Sequence, residues 1–193
     1  MKIKILAAVF FSVIAGNSFA QSPVIKPLKI GDKMPDLVLN NVINYKSKSI
    51  NLSDFKGKLL MLDFWATWCK WCIEEFPKDD SLQHKYGNKL QIVLVDCQKT
   101  KDDETKVQAF YEDRLKADKK FSLPSVYLDT TLMAMFPHYI IPHYVWVKDG
   151  VIIAFTDQEQ VTWANIEMTL KGKTVPLKMK QDPTVSGPFP GKY

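Results

Sequence analysis

The sequence predicts an α/β domain with a mixed central β-sheet flanked by helices. Two apolar runs of strand length, at 59–65 and 90–95, alternate with helical patterns, which is typical of a parallel crossover unit. A later pair of apolar segments at 144–147 and 151–155 flanks the turn at 148–150 and predicts an antiparallel hairpin. We therefore expect parallel and antiparallel strands in one sheet.

The other elements are predicted, in chain order, from apolar periodicity and from the turn residues between segments. They comprise short strands and helices: a strand at 36–39, a helix from Cys69 to about Tyr86 with a kink at Pro77, a charged amphipathic helix at 101–119, a strand at 123–128, a helical turn at 132–136 and a last helix at 161–170. The chain contains no repeats and no low-complexity tract.

The composition excludes several classes of protein. With 193 residues, 46% of them hydrophobic, and three cysteines, the chain can bury a normal core. It does not fit a disordered, collagen-like, coiled-coil or disulfide-stapled protein. The formal net charge of +5 includes Lys2 and Lys4, and without these two it is +3. This weak positive balance predicts no nucleic-acid partner.

The first 20 residues predict a secretory signal peptide. A basic start is followed by an apolar run at 5–14 and by small residues before Gln21. A transmembrane anchor is the alternative, but it needs about 20 apolar residues. We therefore expect a periplasmic or otherwise exported protein that is soluble after cleavage, in an oxidising compartment. After the signal peptide we expect three further parts: a lead-in at 21–29, a domain at 30–172 and a flexible tail at 173–193.

Cys69 and Cys72 form a Cys-x-x-Cys pair at the predicted junction between a buried strand and a helix. Unpaired backbone N–H groups and the dipole at a helix N-terminus stabilise a thiolate. Cys69 is therefore the predicted nucleophile, and Cys72, within the first turn, is the resolving thiol. A static disulfide and half of a zinc site are the alternatives. We predict no metal, because Cys97 and three scattered histidines do not supply two further ligands at suitable spacing.

The residues around this pair resemble the thioredoxin superfamily. The family pattern Asp-Phe-Trp-Ala-x-Trp-Cys-x-x-Cys is matched at 63–72, with Pro77 at the helix kink of the family. Ile141-Pro142 matches the cis-proline that faces the dithiol, and Gly150 follows at the family's spacing. The resemblance implies a thioredoxin fold over about 30–170.

Features outside the motif narrow the resemblance to one branch of the superfamily. The segments 31–35 and 52–58 form an N-terminal extension, and roughly 100–129 is inserted between the dithiol helix and the cis-proline. Both features are similar to the exported TlpA and ResA proteins. The resemblance implies an inserted helix and strand, and a membrane electron donor that keeps the dithiol reduced.

Two carboxylates acquire catalytic interpretations from this resemblance. Asp63 interrupts an apolar strand six residues before Cys69, so burial would raise its pKa and suit it to take the proton of Cys72. The alternative is a strand-end carboxylate that accepts a backbone hydrogen bond. Glu75 lies one turn beyond Cys72 and matches the active-site glutamate of ResA-like proteins, although an exposed helical glutamate is common.

Four residues are predicted to bind substrate, Ile141 and Pro142 from this resemblance and Trp68 and Trp71 from their position beside the dithiol. The backbone of Ile141, before Pro142, would pair with an extended substrate segment. Trp68 and Trp71 flank the dithiol and would form an apolar contact for a partner protein. Lys70 would favour the Cys69 thiolate and make the couple more oxidising, so the resemblance leaves the redox direction open.

Two further residues are predicted to take no part in the chemistry. Cys97, at the end of a strand, is expected to be buried and inert, as free cysteines usually are. His143, which follows the cis-proline, is expected to be an incidental surface histidine.

The predicted function is an exported protein-disulfide oxidoreductase that acts as a reductase and needs no cofactor. Its partners would be proteins that carry disulfides or thiols. A disulfide donor or isomerase is the first alternative. A thiol peroxidase is less favoured, because Leu62 and Ala66 replace the proline and threonine of peroxiredoxins and Arg114 is distant in sequence. A copper-handling module would carry a cysteine pair separated by three residues instead of two.

Overall fold

The computed structural model describes residues 25–180. The strands, in chain order, are β1 (Val38–Leu39), β2 (Val42–Ile43), β3 (Ile50–Asn51), β4 (Leu59–Trp65), β5 (Leu90–Cys97), β6 (Ser125–Asp129), β7 (His143–Lys148) and β8 (Val151–Thr156). The helices are α1 (Lys70–Tyr86), α2 (Glu104–Ala117), α3 (Thr131–Met135) and α4 (Trp163–Leu170). Short 3₁₀ turns occupy Leu52–Phe55, Gln98–Thr100 and Gln158–Gln160.

Six strands form one mixed sheet in the order β2-β6-β5-β4-β7-β8. Strand β4 pairs in parallel with β5, and β5 pairs in parallel with β6. Strands β7 and β8 and the edge strand β2 run antiparallel to their neighbours. This arrangement confirms the predicted mixed sheet. Segments that contain helices join the parallel strands, and a tight turn joins β7 to β8.

Strands β4 and β5 lie at the centre of the sheet, and every residue of both is buried. Successive side chains of a strand point to opposite faces. Met61 and Trp65 of β4 therefore pack in the same cluster as Cys72 and Phe76 of α1. Leu62 and its neighbours on the other face pack in a second cluster with α3 and the N-terminal extension. Because both faces of these strands are buried, their sequences are nearly continuous apolar runs.

The hairpin between β7 and β8 forms at the predicted turn. Asp149 (φ 52°) and Gly150 (φ 76°) both adopt left-handed backbone conformations, as a two-residue hairpin turn requires. Strand β2, which pairs antiparallel with β6, was not predicted. Its two residues are too few to show a strand period, so it is defined only by its pairing.

The domain boundaries stay predictions, because the proposed signal peptide and residues 181–193 lie outside the described part. The described start of the predicted tail contacts the domain. The backbone N–H of Lys180 donates to the carbonyl of Phe155 at 2.8 Å, and Leu177 packs against the core. Within residues 25–180, no helix combines the length and the apolar character needed to cross a bilayer.

Candidate active site

The cysteine pair lies at the N-terminus of α1, four residues after β4 ends. Cys69 is the N-cap of the helix, and its Sγ accepts a hydrogen bond from the backbone N–H of Cys72 at 3.3 Å. The two sulfur atoms form a disulfide with an S–S distance of 2.00 Å. Cys69 is 5% exposed and Cys72 is fully buried. The residue at the helix N-terminus is therefore the more exposed of the two, a position suited to a nucleophile.

The first turn of α1 favours negative charge on Cys69. It carries no acidic residue, and the backbone N–H of Cys72 donates to the sulfur. Lys70 adds a positive charge, but its side chain is 80% exposed and its Nζ lies 3.7 Å from the carboxylate of Glu74. Because that ion pair and the solvent screen the ammonium, we expect the helix N-terminus to act on Cys69 more strongly than Lys70 does.

Three exposed apolar side chains belong to the dithiol segment and to the segment before the cis-proline. Trp71 is 66% exposed and Trp68 is 50% exposed, and Ile140, which precedes the cis-proline segment, is also exposed. The indole N–H of Trp68 donates to the carbonyl of Thr100 at 3.0 Å, which orients the ring. Large exposed aromatic side chains beside a reactive group are typical of protein-binding surfaces.

The loop before Cys69 is held by the segment that follows β5. The carboxylate of Asp102 accepts hydrogen bonds from the backbone N–H and the hydroxyl of Thr67, both at 2.7 Å. Asp102 is buried. Sequence reasoning missed this residue, because it lies in a charged stretch that predicted only the start of a helix.

Asp63 is fully buried on the face of β4 that packs against α1. Within the described part of the chain, neither of its carboxylate oxygens has a hydrogen-bond partner. Burial, and then the nearby charge of Asp79, raises the pKa of Asp63 well above its ordinary value. The structure therefore does not support the alternative of a carboxylate that accepts a backbone hydrogen bond. A protonatable carboxyl is present on the face of the sheet that also packs against Cys72.

Asp79 and Tyr144 are buried with Asp63 between α1 and the sheet. Tyr144 lies directly opposite Asp63 in the pairing of β4 with β7. Its hydroxyl donates to Oδ2 of Asp79 at 2.8 Å, and both residues are fully buried. Burial raises the pKa of Asp79 to about 7. Sequence reasoning missed both residues. The only signal was for Asp79, a carboxylate seven positions after Cys72 and therefore on the same face of the predicted helix.

Glu75 is half-buried and forms an ion pair with Lys78 one turn further along α1. The ammonium of Lys78 also donates to the carbonyl of Gln158 at 3.3 Å. The charge of Glu75 raises the pKa of both Asp63 and Asp79, and the charge of Lys78 lowers both. Glu75 is thus placed beside the buried carboxyls, and its assignment to the site stays a prediction.

The peptide bond between Ile141 and Pro142 is cis, as the family resemblance implies. Pro142 is buried and Ile141 is half-buried. The ammonium of Lys180 donates to the carbonyls of Ile140 and Pro142, the latter at 2.8 Å. The segment beyond α4 therefore reaches the loop that was predicted to bind substrate.

The expectation that His143 is a surface residue is wrong. His143 begins β7 opposite Phe64 and is buried, and its ring stacks on that of His138 with centroids 4.6 Å apart. Burial lowers the pKa of His143 well below its ordinary value and that of His138 to about 4. Both rings are neutral at physiological pH. The sequence did not indicate that the first residue of β7 is buried.

Cys97 is 3% exposed and is not bonded to either active-site cysteine. Burial raises the pKa of its thiol far above the ordinary value. The prediction of a buried free cysteine is confirmed. In the described part of the chain, no cluster of three or more histidine, cysteine or acidic side chains is placed to hold a metal ion.

The fold and the site define the class of this protein: a thioredoxin-fold domain with a Cys-x-x-Cys disulfide at the N-terminus of its first long helix. Residues 30–133, more than half of the chain, match the AhpC/TSA family. The chain therefore belongs to the AhpC/TSA family.

Individual relatives are similar to part of the chain. The thioredoxin-like protein YneN of Bacillus subtilis (strain 168) is 41% identical over 80 residues, which is 42% of this chain and 45% of YneN. The thiol-disulfide oxidoreductase ResA of Bacillus thuringiensis subsp. konkukian is 39% identical over 74 residues, 38% of this chain and 41% of ResA. The chain thus matches less than half the length of these curated relatives.

A solved structure supports the fold over a longer stretch. The thioredoxin domain of a thiol-disulfide oxidoreductase from Bacteroides vulgatus superimposes with a TM-score of 0.54 at 22% identity. The superposition covers 75% of this chain and 97% of that domain. At this identity the likeness shows the thioredoxin fold alone.

Proposed function

We propose that this protein is an exported thiol-disulfide oxidoreductase that reduces protein disulfides through Cys69 and Cys72. The observation that carries the proposal is the placement of the Cys69–Cys72 disulfide at the N-terminus of α1, with Cys69, the more exposed residue of the pair, at the cap. The names of the matched relatives, thiol-disulfide oxidoreductase and thioredoxin-like protein, support the same activity.

The proposed reaction starts from the reduced dithiol. The Cys69 thiolate attacks one sulfur of the substrate disulfide, and the other substrate sulfur leaves with the electron pair. The thiol of Cys72 then attacks Cys69 in the mixed disulfide and releases the second substrate thiolate. Asp63 accepts the proton of Cys72 in this step. The protein is left with the disulfide seen in the structure, two electrons having passed to the substrate.

Substrate binding is proposed at the exposed apolar surface around the dithiol. Trp68 and Trp71 would contact apolar side chains of the substrate, and both are exposed enough to do so. The backbone of Ile141, a half-buried residue, would pair with an extended substrate segment, a mode that gives affinity with little sequence specificity. The substrate class is therefore partly unfolded or extended polypeptides that carry accessible disulfides.

The export and the electron supply are part of the proposal. The basic and apolar pattern of the first 20 residues supports export. In an oxidising compartment a reductase would stay oxidised unless a donor supplied electrons, so a membrane-bound thiol donor is the proposed partner.

The activity is tested by insulin reduction with dithiothreitol as the electron source. We expect wild-type protein and a Cys97→Ser control to accelerate the reaction, and Cys69→Ser to be inactive. Cys72→Ser should accumulate mixed disulfides that non-reducing gels detect. Unchanged insulin reduction by Cys69→Ser would contradict the mechanism.

The direction of electron flow is tested by titrating the Cys69–Cys72 couple against glutathione or dithiothreitol buffers. Fluorescence of Trp68 and Trp71, on either side of Cys69, should report the redox state. A midpoint of about −250 mV or below supports a reductase. A midpoint near about −120 mV would show a disulfide donor instead.

Thiol peroxidase activity is the second candidate, since peroxiredoxins share features of the N-terminal extension. Two observations weigh against it. Ala66 provides no hydroxyl near Cys69, and the guanidinium of Arg114 on α2 stacks on the ring of Phe121. Peroxide consumption coupled to dithiothreitol oxidation, measured against the Cys69→Ser variant, tests this alternative directly.

A further inference from the structure

The segment that follows α4 has no role in the proposed reaction, yet it contacts the cis-proline loop, residues 137–142, which leads into β7. We propose that Lys180 is a positioning residue whose ammonium holds the backbone on both sides of Ile141 in the conformation that an extended substrate pairs with. The inference rests on the proposed function and adds to it a residue, far from the cysteine motif in sequence, that sets the affinity for polypeptide substrates.

One ammonium contacts two carbonyls of the cis-proline loop. The Nζ of Lys180 donates to the carbonyl of Pro142 at 2.8 Å and also to that of Ile140. Hydrogen bonds from a charged donor are stronger than those between neutral groups. Because a single ammonium contacts both carbonyls, they face the same side, and Ile141 lies between them. Neither contact uses the backbone groups of Ile141, which the proposed function assigns to the substrate.

Within residues 25–180, the cis-proline loop lacks the backbone-to-backbone hydrogen bonds that hold other loops. Outside strand pairing, none of these bonds involves residues 137–142. The start of the loop is anchored by the buried ring of His138, whose Nδ1 donates to the carbonyl of Phe136 at 2.7 Å. Lys180 therefore supplies hydrogen bonds to the part of the loop beyond His138, where the substrate is expected to pair.

The backbone of residues 177–180 is itself held in place, so the side chain of Lys180 starts from a defined position. Leu177 packs against the core, and the backbone N–H of Lys178 donates to the side-chain carbonyl of Gln160 at 3.0 Å. The backbone N–H of Lys180 donates to the carbonyl of Phe155 on the edge strand β8 at 2.8 Å. A side chain on an ordered backbone loses less conformational entropy when it forms its contacts.

The buried histidines beside the cis-proline loop do not oppose the ammonium. Burial lowers the pKa of His138 and of His143, and the positive charge of Lys180 lowers both further. Both rings are therefore neutral at physiological pH, and neither repels Lys180.

A fixed backbone at Ile141 favours the binding of an extended polypeptide. Strand addition requires the pairing backbone to be ordered, and a loop that is ordered beforehand loses less entropy when the substrate binds. A small disulfide without a peptide backbone gains nothing from this ordering. Lys180 should therefore affect the affinity for polypeptide disulfides and leave the chemistry at Cys69 unchanged.

The test compares a polypeptide disulfide with a small one. Reduced protein is mixed with an excess of a neutral, unstructured peptide dimer joined by one disulfide, or with bis(2-hydroxyethyl) disulfide, and its oxidation is followed by stopped-flow tryptophan fluorescence. Lys180→Met removes the ammonium and keeps a long side chain. It should raise the half-saturating concentration of the peptide dimer about tenfold, the factor expected if binding must order about one more residue of backbone.

The maximal rate with the peptide dimer and the rate with the small disulfide should equal those of the wild type, because only binding is affected. Lys178→Met is the matched control, since it removes one positive charge from an exposed position in the same segment. Its half-saturating concentration should equal that of the wild type. An unchanged half-saturating concentration in Lys180→Met, an equal rise in Lys178→Met, or equal slowing with both disulfides would overturn the proposal.

NMR relaxation measures the loop directly and needs no substrate. In the oxidised wild type, the order parameter of the Ile141 amide should be about 0.85, as in rigid backbone, and in Lys180→Met it should fall below about 0.6. An unchanged order parameter in Lys180→Met would overturn the proposal. If the variant does not fold, a wild-type value below about 0.6 would overturn it as well.

The outcomes separate this proposal from the proposed function. If the reduced wild type reacts with the small disulfide and not with the peptide dimer, the function is contradicted, and the order parameters still decide whether Lys180 holds the loop. If the wild type reduces the peptide dimer and Lys180→Met changes neither the half-saturating concentration nor the order parameter, only the role of Lys180 is contradicted.

Discussion

Replacing Asp96 with asparagine is expected to stabilise the protein by an amount that grows with pH. Asp96 is buried at the end of β5, and the hydroxyl of Thr100 donates to its Oδ1 at 2.7 Å. Its Oδ2 has no hydrogen-bond partner among residues 25–180. Burial raises the pKa of this carboxyl from 3.8 to about 7, and the charge of Asp102 contributes in the same direction. Asparagine keeps the acceptor for Thr100 and removes the ionisation.

The sign of this pH effect on stability follows from how many protons the folded and unfolded chains bind. Below about pH 4 the folded and unfolded chains both hold the proton, so ionisation makes no difference to stability. Between about pH 4 and pH 7 the unfolded chain loses its proton while the folded chain keeps it. The wild type therefore loses stability as pH rises, and Asp96→Asn avoids this loss.

The size of the stability difference follows from the same shift in the pKa of Asp96. One pKa unit corresponds to about 1.4 kcal/mol, so a rise from 3.8 to about 7 corresponds to about 4 kcal/mol once the pH is above both values. At pH 5 only about 1.6 kcal/mol of this is expressed. We therefore expect the advantage of Asp96→Asn over the wild type to increase by about 2 to 3 kcal/mol between pH 5 and pH 8.

Urea unfolding of the oxidised proteins at pH 5 and pH 8, followed by tryptophan fluorescence, gives the free energies of unfolding. Asp103→Asn is the matched control, because Asp103 is exposed and asparagine is an equally good N-cap for α2. The control should show no pH-dependent difference from the wild type. An Asp96→Asn effect of equal size at both pH values would refute the reasoning, because it would not come from ionisation.

Two further predictions concern the support of the site and the third cysteine. Asp102→Ala should lower the free energy of unfolding by about 2 to 4 kcal/mol and slow insulin reduction, because it leaves two donors of Thr67 unpaired. Asp103→Ala should lose only about 1 kcal/mol as a helix cap, and an equal loss in both variants would contradict the first expectation. Cys97 should be alkylated at least about 100-fold more slowly in the folded oxidised protein than in urea, and rapid native labelling would show that it is accessible.

The order of helices and strands could be predicted because it depends on local patterns. β4 has the predicted bounds, β5 extends two residues beyond them, and the hairpin forms at the predicted turn. Apolar runs, a period of 3.6 and turn residues each act over fewer than about 20 residues. The edge strand β2 could not be predicted, since its two residues form a strand only by pairing with β6.

The candidate site was predicted in part for the same reason. Cys69, Cys72 and Asp63 lie within ten consecutive residues at one strand-to-helix junction, so the motif itself brings them together. His143 was placed wrongly at the surface, because its burial depends on the rings of Phe64 and His138 that pack against it. Asp102 was missed because its partner, Thr67, is 35 positions away.

The sequence by itself determined the mixed α/β architecture, the dithiol at a helix N-terminus and the presence of a carboxyl in a buried strand. Only the tertiary structure decided which groups share the interior with that carboxyl. Tyr144 and Asp79 are 65 positions apart, and they meet because β7 pairs with β4 in one register and α1 turns one face to the sheet. Register and helix rotation are set by the packing of the whole core, so no local pattern specifies them.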